Sequence, residues 1–267
     1  MAFGRSGTRS GAGLLGRACQ IKGAPQVRGS LDSTMKRTVI IGDVHGCREE
    51  LEDLLDAVSV DETDSIVFTG DLVARGPDSL GVLELARRLN ALSVIGNHER
   101  RLLEIRDIDR GGERVKLPAA PRRLVKELRH EDWAYLSAMP YYVELPRHGV
   151  AIVHAGVKPG LGLEHQDPWV LTHIRSLDDK GKPSSSLGDR SWAESYVGPP
   201  HVVFGHSAQR GVQLHEYATG LDSGCVYGKR LTALVLQNDE PVAPRSRRES
   251  ALISVPARKV HFVPHSS

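Results

Sequence analysis

A short β-rich apolar run that ends on a small residue and then a metal-competent side chain recurs along this sequence, and that recurrence constrains the fold most. Thr38–Ile41 leads into Gly42-Asp43-Val44-His45-Gly46, Ser65–Thr69 into Gly70-Asp71, and Leu92–Ile95 into Gly96-Asn97-His98. Val150–Val153 ends directly on His154, and His201–Phe204 leads into Gly205-His206. Between several of these runs lie helical patterns. Leu51, Leu54, Leu55 and Val58 fall on one face of an amphipathic helix. Ser79–Leu89, with Pro77 and Asp78 just ahead, carries helix-start signals, and Arg122–His130 reads as a third helix. Alternating strands and helices imply an α/β fold with a largely parallel sheet covered on its faces. Two later runs, Val212–Tyr217 and Leu231–Leu236, are hairpin-like, so a mixed sheet is expected.

In such sheets ligands bind beyond the carboxyl ends of the strands. A lone Gly-Asp after a strand is usually a turn, and a lone His there is usually a satisfied core or surface histidine. The conjunction of Asp-x-His, Gly-Asp, Asn-His and two further His at successive strand ends is what turn chemistry does not explain. The other histidines (His130, His148, His165, His173, His201, His215, His261 and His265) lack this placement and carry no expected role.

Composition excludes several alternatives. The 267 residues suffice for one large buried core. With 40% hydrophobic and 25% charged residues the chain is ordinary for a soluble globular protein. A net charge of +2 gives no strong nucleic-acid or membrane signal, and no apolar run reaches the roughly 20 residues of a membrane span. Cys19, Cys47 and Cys225 are scattered, which fits neither a disulfide framework nor a zinc finger and suits a reducing compartment. Residues 1–35 read as a disordered extension, or else as an Arg-rich, acid-poor mitochondrial presequence. Met35 offers an alternative start. The expected domain is 36–238, working in the cytoplasm. Residues 239–267, with their prolines and the basic run Arg245-Ser-Arg247-Arg248, read as a mostly unstructured tail.

Asp43, His45, Asp71, Asn97, His154 and His206 form a mixed oxygen and nitrogen donor set, which suits manganese, iron or zinc better than calcium. Six side chains exceed what one catalytic zinc with an open position uses. They fit two ions with a bridging carboxylate, an arrangement suited to in-line displacement at phosphorus.

With Gly70-Asp71-Leu72-Val73-Ala74-Arg75-Gly76, Gly96-Asn97-His98-Glu99, His154-Ala155-Gly156 and Gly205-His206 following the first motif in order, the sequence resembles the calcineurin-like metallophosphoesterases. Ala74-Arg75-Gly76-Pro77-Asp78-Ser79, His154 to Gly160 and Leu221 to Gly228 bring it closer to the diadenosine-tetraphosphatase (ApaH-like) branch of the phosphoprotein phosphatase superfamily. The resemblance covers about residues 37–237. It implies a layered fold of mixed β-sheets flanked by helices, with a dinuclear centre at strand C-terminal ends. It also implies that Asp43, His45 and His206 hold one ion, that Asn97 and His154 hold the other, and that Asp71 bridges. His98 would be the general acid. Arg75 would grip phosphate with Arg175 as its partner, and Asn97 and Tyr227 would also face substrate. Attack would be direct, by a bridging hydroxide.

Typical Ser/Thr protein phosphatases carry an Asp where this chain has Ala74, and that carboxylate orients the histidine matching His98. Without it the imidazole's tautomer is less well controlled, which a good leaving group such as a nucleoside polyphosphate tolerates best. Glu99 pulls the other way, because Asn-His-Glu is the protein-phosphatase form. Dinucleoside polyphosphates are thus the expected substrates, with phosphoproteins and inorganic polyphosphate as alternatives. A catalytically dead binding module would lack a ligand, and none is missing. A cysteine nucleophile is weaker still, since neither Cys47 nor Cys225 is placed with a base.

Overall fold

The computed structural model describes residues 27–28, 37–111, 119–237 and 240–264. The strands are β1 (Val27–Arg28), β2 (Arg37–Ile41), β3 (Asp64–Phe68), β4 (Leu92–Ser93), β5 (Tyr142–Leu145), β6 (Val150–Val153), β7 (Ser176–Leu177), β8 (Pro183–Ser184), β9 (His201–Phe204), β10 (Gln213–Leu214), β11 (Ala218–Gly220), β12 (Arg230–Gln237) and β13 (Leu252–Pro256). The helices are α1 (Arg48–Val58), α2 (Ser79–Arg88), α3 (Asn97–Arg110), α4 (Ala119–Glu127), α5 (His130–Ala138), α6 (Pro168–His173) and α7 (Arg245–Arg248).

Two mixed sheets stack face to face. One runs β13-β12-β2-β3-β4 and the other β1-β5-β6-β9-β11-β10, with β7 and β8 forming a separate hairpin. The continuous apolar runs of the inner strands follow from burial on both faces. In β2, Val39 and Ile41 pack toward α1 and α2, while Ile40 meets Val143, Ile152 and Val203 of the opposite sheet. The far face of the second sheet is closed by α6 and Trp192. Among the described residues no helix is long and apolar enough to cross a membrane.

Helix positions follow local chemistry. In α1, Leu51, Leu54 and Val58 are buried as their spacing predicts, and Ser59 ends the helix in a left-handed conformation. The α2 helix starts where Asp78 accepts the Gly81 amide at 2.7 Å. The expected third helix at Arg122–His130 straddles the end of α4 and the start of α5.

Two expectations are corrected. Val212–Tyr217 and Leu231–Leu236 do not pair. Gln213 and Leu214 form a hairpin with β11 in one sheet, while β12 lies antiparallel between β2 and β13 in the other. A strand with its six inner residues buried needs partners on both edges, and β2 and β13 supply them. The tail from 239 is correspondingly not unstructured over its described part, 240–264. Its β13 pairs with β12 from Leu234↔Leu252 to Arg230↔Pro256. Arg248, 1% exposed, donates to the carbonyls of Ala243, His215 and Glu216 and to Thr219 Oγ1. The extension and presequence readings fall on residues outside the described ones apart from β1, which pairs in parallel with β5.

His201, at the start of β9, meets Thr219 Oγ1 at 2.9 Å, and burial with the nearby Arg248 charge pushes its pKa down to about 3. Held neutral in the fold, it takes up a proton on unfolding below its free value of about 6.5, so stability is lost as pH falls from that value toward the folded one. Its contribution to the loss between about pH 7 and about pH 5 is about 2 kcal/mol. Urea titrations at the two pH values should show His201→Gln removing that part of the drop, and an unchanged drop would contradict it.

Candidate dinuclear metal centre

The parallel strands β2, β3, β4, β6 and β9 of the two sheets end at one rim, and each contributes there. Asp43 follows β2, and its carboxylate accepts from the His206 amide at 3.0 Å and from Thr69 Oγ1 at 3.2 Å. Asp71 follows β3. Its Oδ1 accepts from the His98 amide at 3.0 Å, and its Oδ2 lies 3.6 Å from His45 Nε2 and 3.5 Å from His154 Nε2. That oxygen faces both halves of the site, as a bridging ligand must.

The rings are held by backbone oxygens. His45 Nδ1 is 3.2 Å from the Val73 carbonyl, and His154 Nδ1 is 2.8 Å from the Thr69 carbonyl. Donation from Nδ1 leaves each Nε2 lone pair facing the rim. Asn97 opens α3 and puts Oδ1 3.0 Å from His154 Nε2, acceptor against acceptor. His206 Nε2 is buried with no partner. The Asp43 and Asp222 carboxyl groups are close enough to shift one another's titration. Burial and then the neighbouring carboxylates, Asp222 foremost, raise Asp43 well above its ordinary value. Burial pushes Asp222 up to about 6, with the Asp71 charge adding. An orphaned ring nitrogen and crowded buried carboxylates are the environment a pair of cations relieves, and the donor set fits divalent ions.

Burial pushes the Asp71 carboxyl up, but the surrounding His154, His98 and His45 rings and the His98 amide win and hold it well below the usual range. Burial pushes His45 down to about 3 and also lowers His154, His206 and His98. Neutral imidazoles are the ligating form.

The candidate ligand atoms gather in two groups. His45, Asp71 and His98 have ligand atoms within 4.8 Å of one another, as do Asp71, His154 and His206. The His206 ring lies beside that of His154, with centroids 5.0 Å apart, and its amide donates to Asp43. The left-handed backbone at His206 (φ 67°) turns the ring that way.

Gly96 and Gly205 are required by close approach. A Cβ on Gly96 would collide with Asp71 Oδ1, and one on Gly205 with Asp43 Oδ1. Glu99 locks the same loops from behind: fully buried, it accepts from the amides of Asp71 at 2.9 Å, Gly96 at 3.0 Å and Val73 at 3.2 Å. Burial and the Asp71 charge push its pKa up to about 8, against those three donors.

Around this cradle sit the arginines. Arg75 Nη1 reaches His45 Nε2 at 3.0 Å, and its guanidinium lies 5.7 Å from the Tyr227 ring and 5.8 Å from that of Phe262. Arg175 donates to the Ser185 carbonyl at 3.0 Å while its Nε is buried and unpartnered. Burial lowers its pKa, and the Arg75 charge lowers it further. Among the described residues neither arginine has a carboxylate at ion-pairing distance. The His98 ring stands edge-on to His45 with centroids 5.0 Å apart and has no hydrogen bond among the described residues. Ala74 offers it no orienting group.

Sequence reasoning missed four residues here. Asp222 follows β11 much as Asp43 follows β2, but the intervening Leu221 hid the pattern. His173, read as bland, stacks on Trp169 with centroids 5.7 Å apart and meets His206 edge-on at 6.4 Å. Phe262 lies in the segment taken for a tail.

Candidate ligand atoms at strand ends around a shared carboxylate are the arrangement that a metallohydrolase centre uses. The chain belongs to the calcineurin-like phosphoesterase family, whose model matches residues 36–239. It is accordingly a metal-dependent hydrolase of phosphate ester or anhydride bonds. It is 32% identical to the asymmetrical bis(5'-nucleosyl)-tetraphosphatase PrpE of Oceanobacillus iheyensis, over 78% of this chain and 92% of that one. It is 29% identical to the symmetrical bis(5'-nucleosyl)-tetraphosphatase of Aeromonas hydrophila, over 76% and 95%. A crystal structure provisionally assigned as a diadenosine tetraphosphatase superposes with a TM-score of 0.71 at 38% identity, covering 85% of this chain and 96% of that one.

Asp71→Asn should remove bound metal and activity together. Metal analysis of the purified variant checks this, and retention of full metal content with full turnover would exclude a bridging role.

Proposed function

We propose that this protein hydrolyses a phosphoanhydride bond in dinucleoside polyphosphates, using two divalent ions, with manganese the leading candidate. The supporting observation is the pair Arg75 and Arg175, close enough for the Arg75 charge to lower the Arg175 pKa and, among the described residues, with no carboxylate at ion-pairing distance. A polyphosphate chain is the complement of two such forks, because guanidinium groups bind phosphoryl oxygens in bidentate fashion. The flanks fit a nucleotide at both ends. Tyr227 and Phe262 lie beside Arg75, on the His45 half, and His173, with Trp169 stacked on it, lies beside His206, on the other. Aromatic faces of this kind stack on bases. The tetraphosphatase names of the relatives agree with this reading.

Asp43, His45, Asp71, Asn97, His154 and His206 would hold the ions. When bound, two such ions place positive charge against the phosphoryl oxygens and acidify water. The protein's own groups do the rest. Arg75 and Arg175 fix the phosphates in line, and His98 delivers a proton to the departing oxygen. An acid with no orienting carboxylate suffices for a nucleoside polyphosphate leaving group, and is poorly suited to a serine alkoxide.

Incubation of the manganese-loaded protein with a dinucleoside tetraphosphate, a phosphoserine peptide and inorganic polyphosphate should give turnover chiefly of the first. Turnover of the peptide alone would overturn the anhydride reading. His98→Ala should keep its metal but lose roughly 10²–10⁴-fold in rate on poor leaving groups. The loss should shrink as the leaving group improves, and equal losses across a leaving-group series would remove His98 as the acid.

A further inference from the structure

A second cluster of ligating groups lies behind the rim. Cys47 immediately precedes α1, Glu50 stands in its first turn, and Cys225 lies in the turn after Asp222. All three are buried, and their ligand atoms lie within 4.8 Å of one another. The ligands of a tetrahedral zinc stand roughly 3.3–3.8 Å apart, given bonds of about 2.0–2.3 Å, so a small contraction would close this set around an ion. Glu50 Oε1 accepts from the Arg258 amide at 3.0 Å and from His261 Nε2 at 2.6 Å. Its other oxygen, Oε2, is buried and has no donor. A buried carboxylate oxygen left unpaired is costly and rare, and here two sulfurs stand beside it.

We propose that Cys47, Glu50 and Cys225 form a buried site for one thiophilic divalent cation of the zinc type, separate from the dinuclear centre. Two thiolates and a carboxylate select zinc over manganese or magnesium. Three protein ligands leave the fourth tetrahedral position to a water. His261, donating to the far oxygen, orients the carboxylate as outer partners of metal ligands do. Binding replaces the two thiol protons, which leave to solvent, and transfers no electrons. The ion would join three distant parts of the chain: the loop of Asp43 and His45, the loop of Asp222, and the C-terminal segment. It does not depend on the substrate reading.

The test uses the full chain, purified under reducing conditions. Cobalt loaded in place of zinc should give a thiolate-to-cobalt charge-transfer band. Metal analysis after zinc loading should show one more equivalent than in Cys47→Ser/Cys225→Ser, which should keep the dinuclear complement and lack the band. Because that variant could fail to fold, Glu50→Gln provides a second arm. It keeps both sulfurs and should weaken cobalt binding at least tenfold at this site alone. Absence of a charge-transfer band in the wild-type chain, with only two metals per molecule, would overturn the proposal. So would a Cys47–Cys225 disulfide, seen as the loss of two free thiols in denatured, unreduced protein from aerobic cells.

Discussion

The Asp71 carboxylate stands where the two sheets meet, with one oxygen 3.6 Å from His45 and 3.5 Å from His154. To reach that position the backbone at Asp71 adopts a left-handed conformation (φ 51°), and His45 (φ 49°) and His206 (φ 67°) do the same. For residues with a Cβ this costs on the order of 1–2 kcal/mol each. Such strain persists only where the surroundings over-determine it. Here they do: the His45 amide donates to the Asp71 carbonyl at 2.8 Å, the Gly46 amide to the Leu72 carbonyl at 2.7 Å, and the His206 amide to Asp43. The strained ligands are thus fixed by one another, across loops that belong to different sheets.

Behind them Glu99 performs a task that resembles helix capping but extends beyond it. It caps α3 through the Gly96 amide and also takes the amides of Asp71 and Val73 from the neighbouring loop. One carboxylate therefore sets the spacing between Asp71 and Asn97. The same residue was a clue toward protein phosphatases in the sequence. Its bonds show that it works on the backbone, so it speaks to the architecture of the cradle rather than to the substrate.

The parts legible in the sequence were those with local signals. Strand runs ending in glycine, Asp78 capping α2 and the apolar face of α1 depend on a few neighbouring residues, and they appear where expected. The six candidate ligands, which the structure brings to one rim, were legible because each follows a strand end. Features that depend on distant pairing were not. Nothing near Leu231 says that β12 must lie between β2 and β13, and nothing near Leu252 says that an edge strand follows a basic, proline-containing stretch. The grouping of His206 with His154 is equally non-local, since it depends on how the turn after β9 aims one ring. The Cys47, Glu50 and Cys225 cluster spans 178 positions and could not be seen as a unit.

The C-terminal segment shows how stability and the site are connected. By pairing with β12, β13 completes the second edge of a strand with both faces buried, and the chain then continues back over α1. There Arg258 bonds Asp53, His261 bonds Glu50, and the Phe262 ring comes to rest beside Arg75. An arginine that is to grip phosphate, as proposed for Arg75, must hold a fixed place while carrying its charge. Two aromatic faces near 6 Å achieve that without a carboxylate that would compete with substrate. Tyr227 reaches the guanidinium from the loop after Asp222 and Phe262 from the end of the described chain, so edge pairing far from the rim positions one of the two rings that flank Arg75.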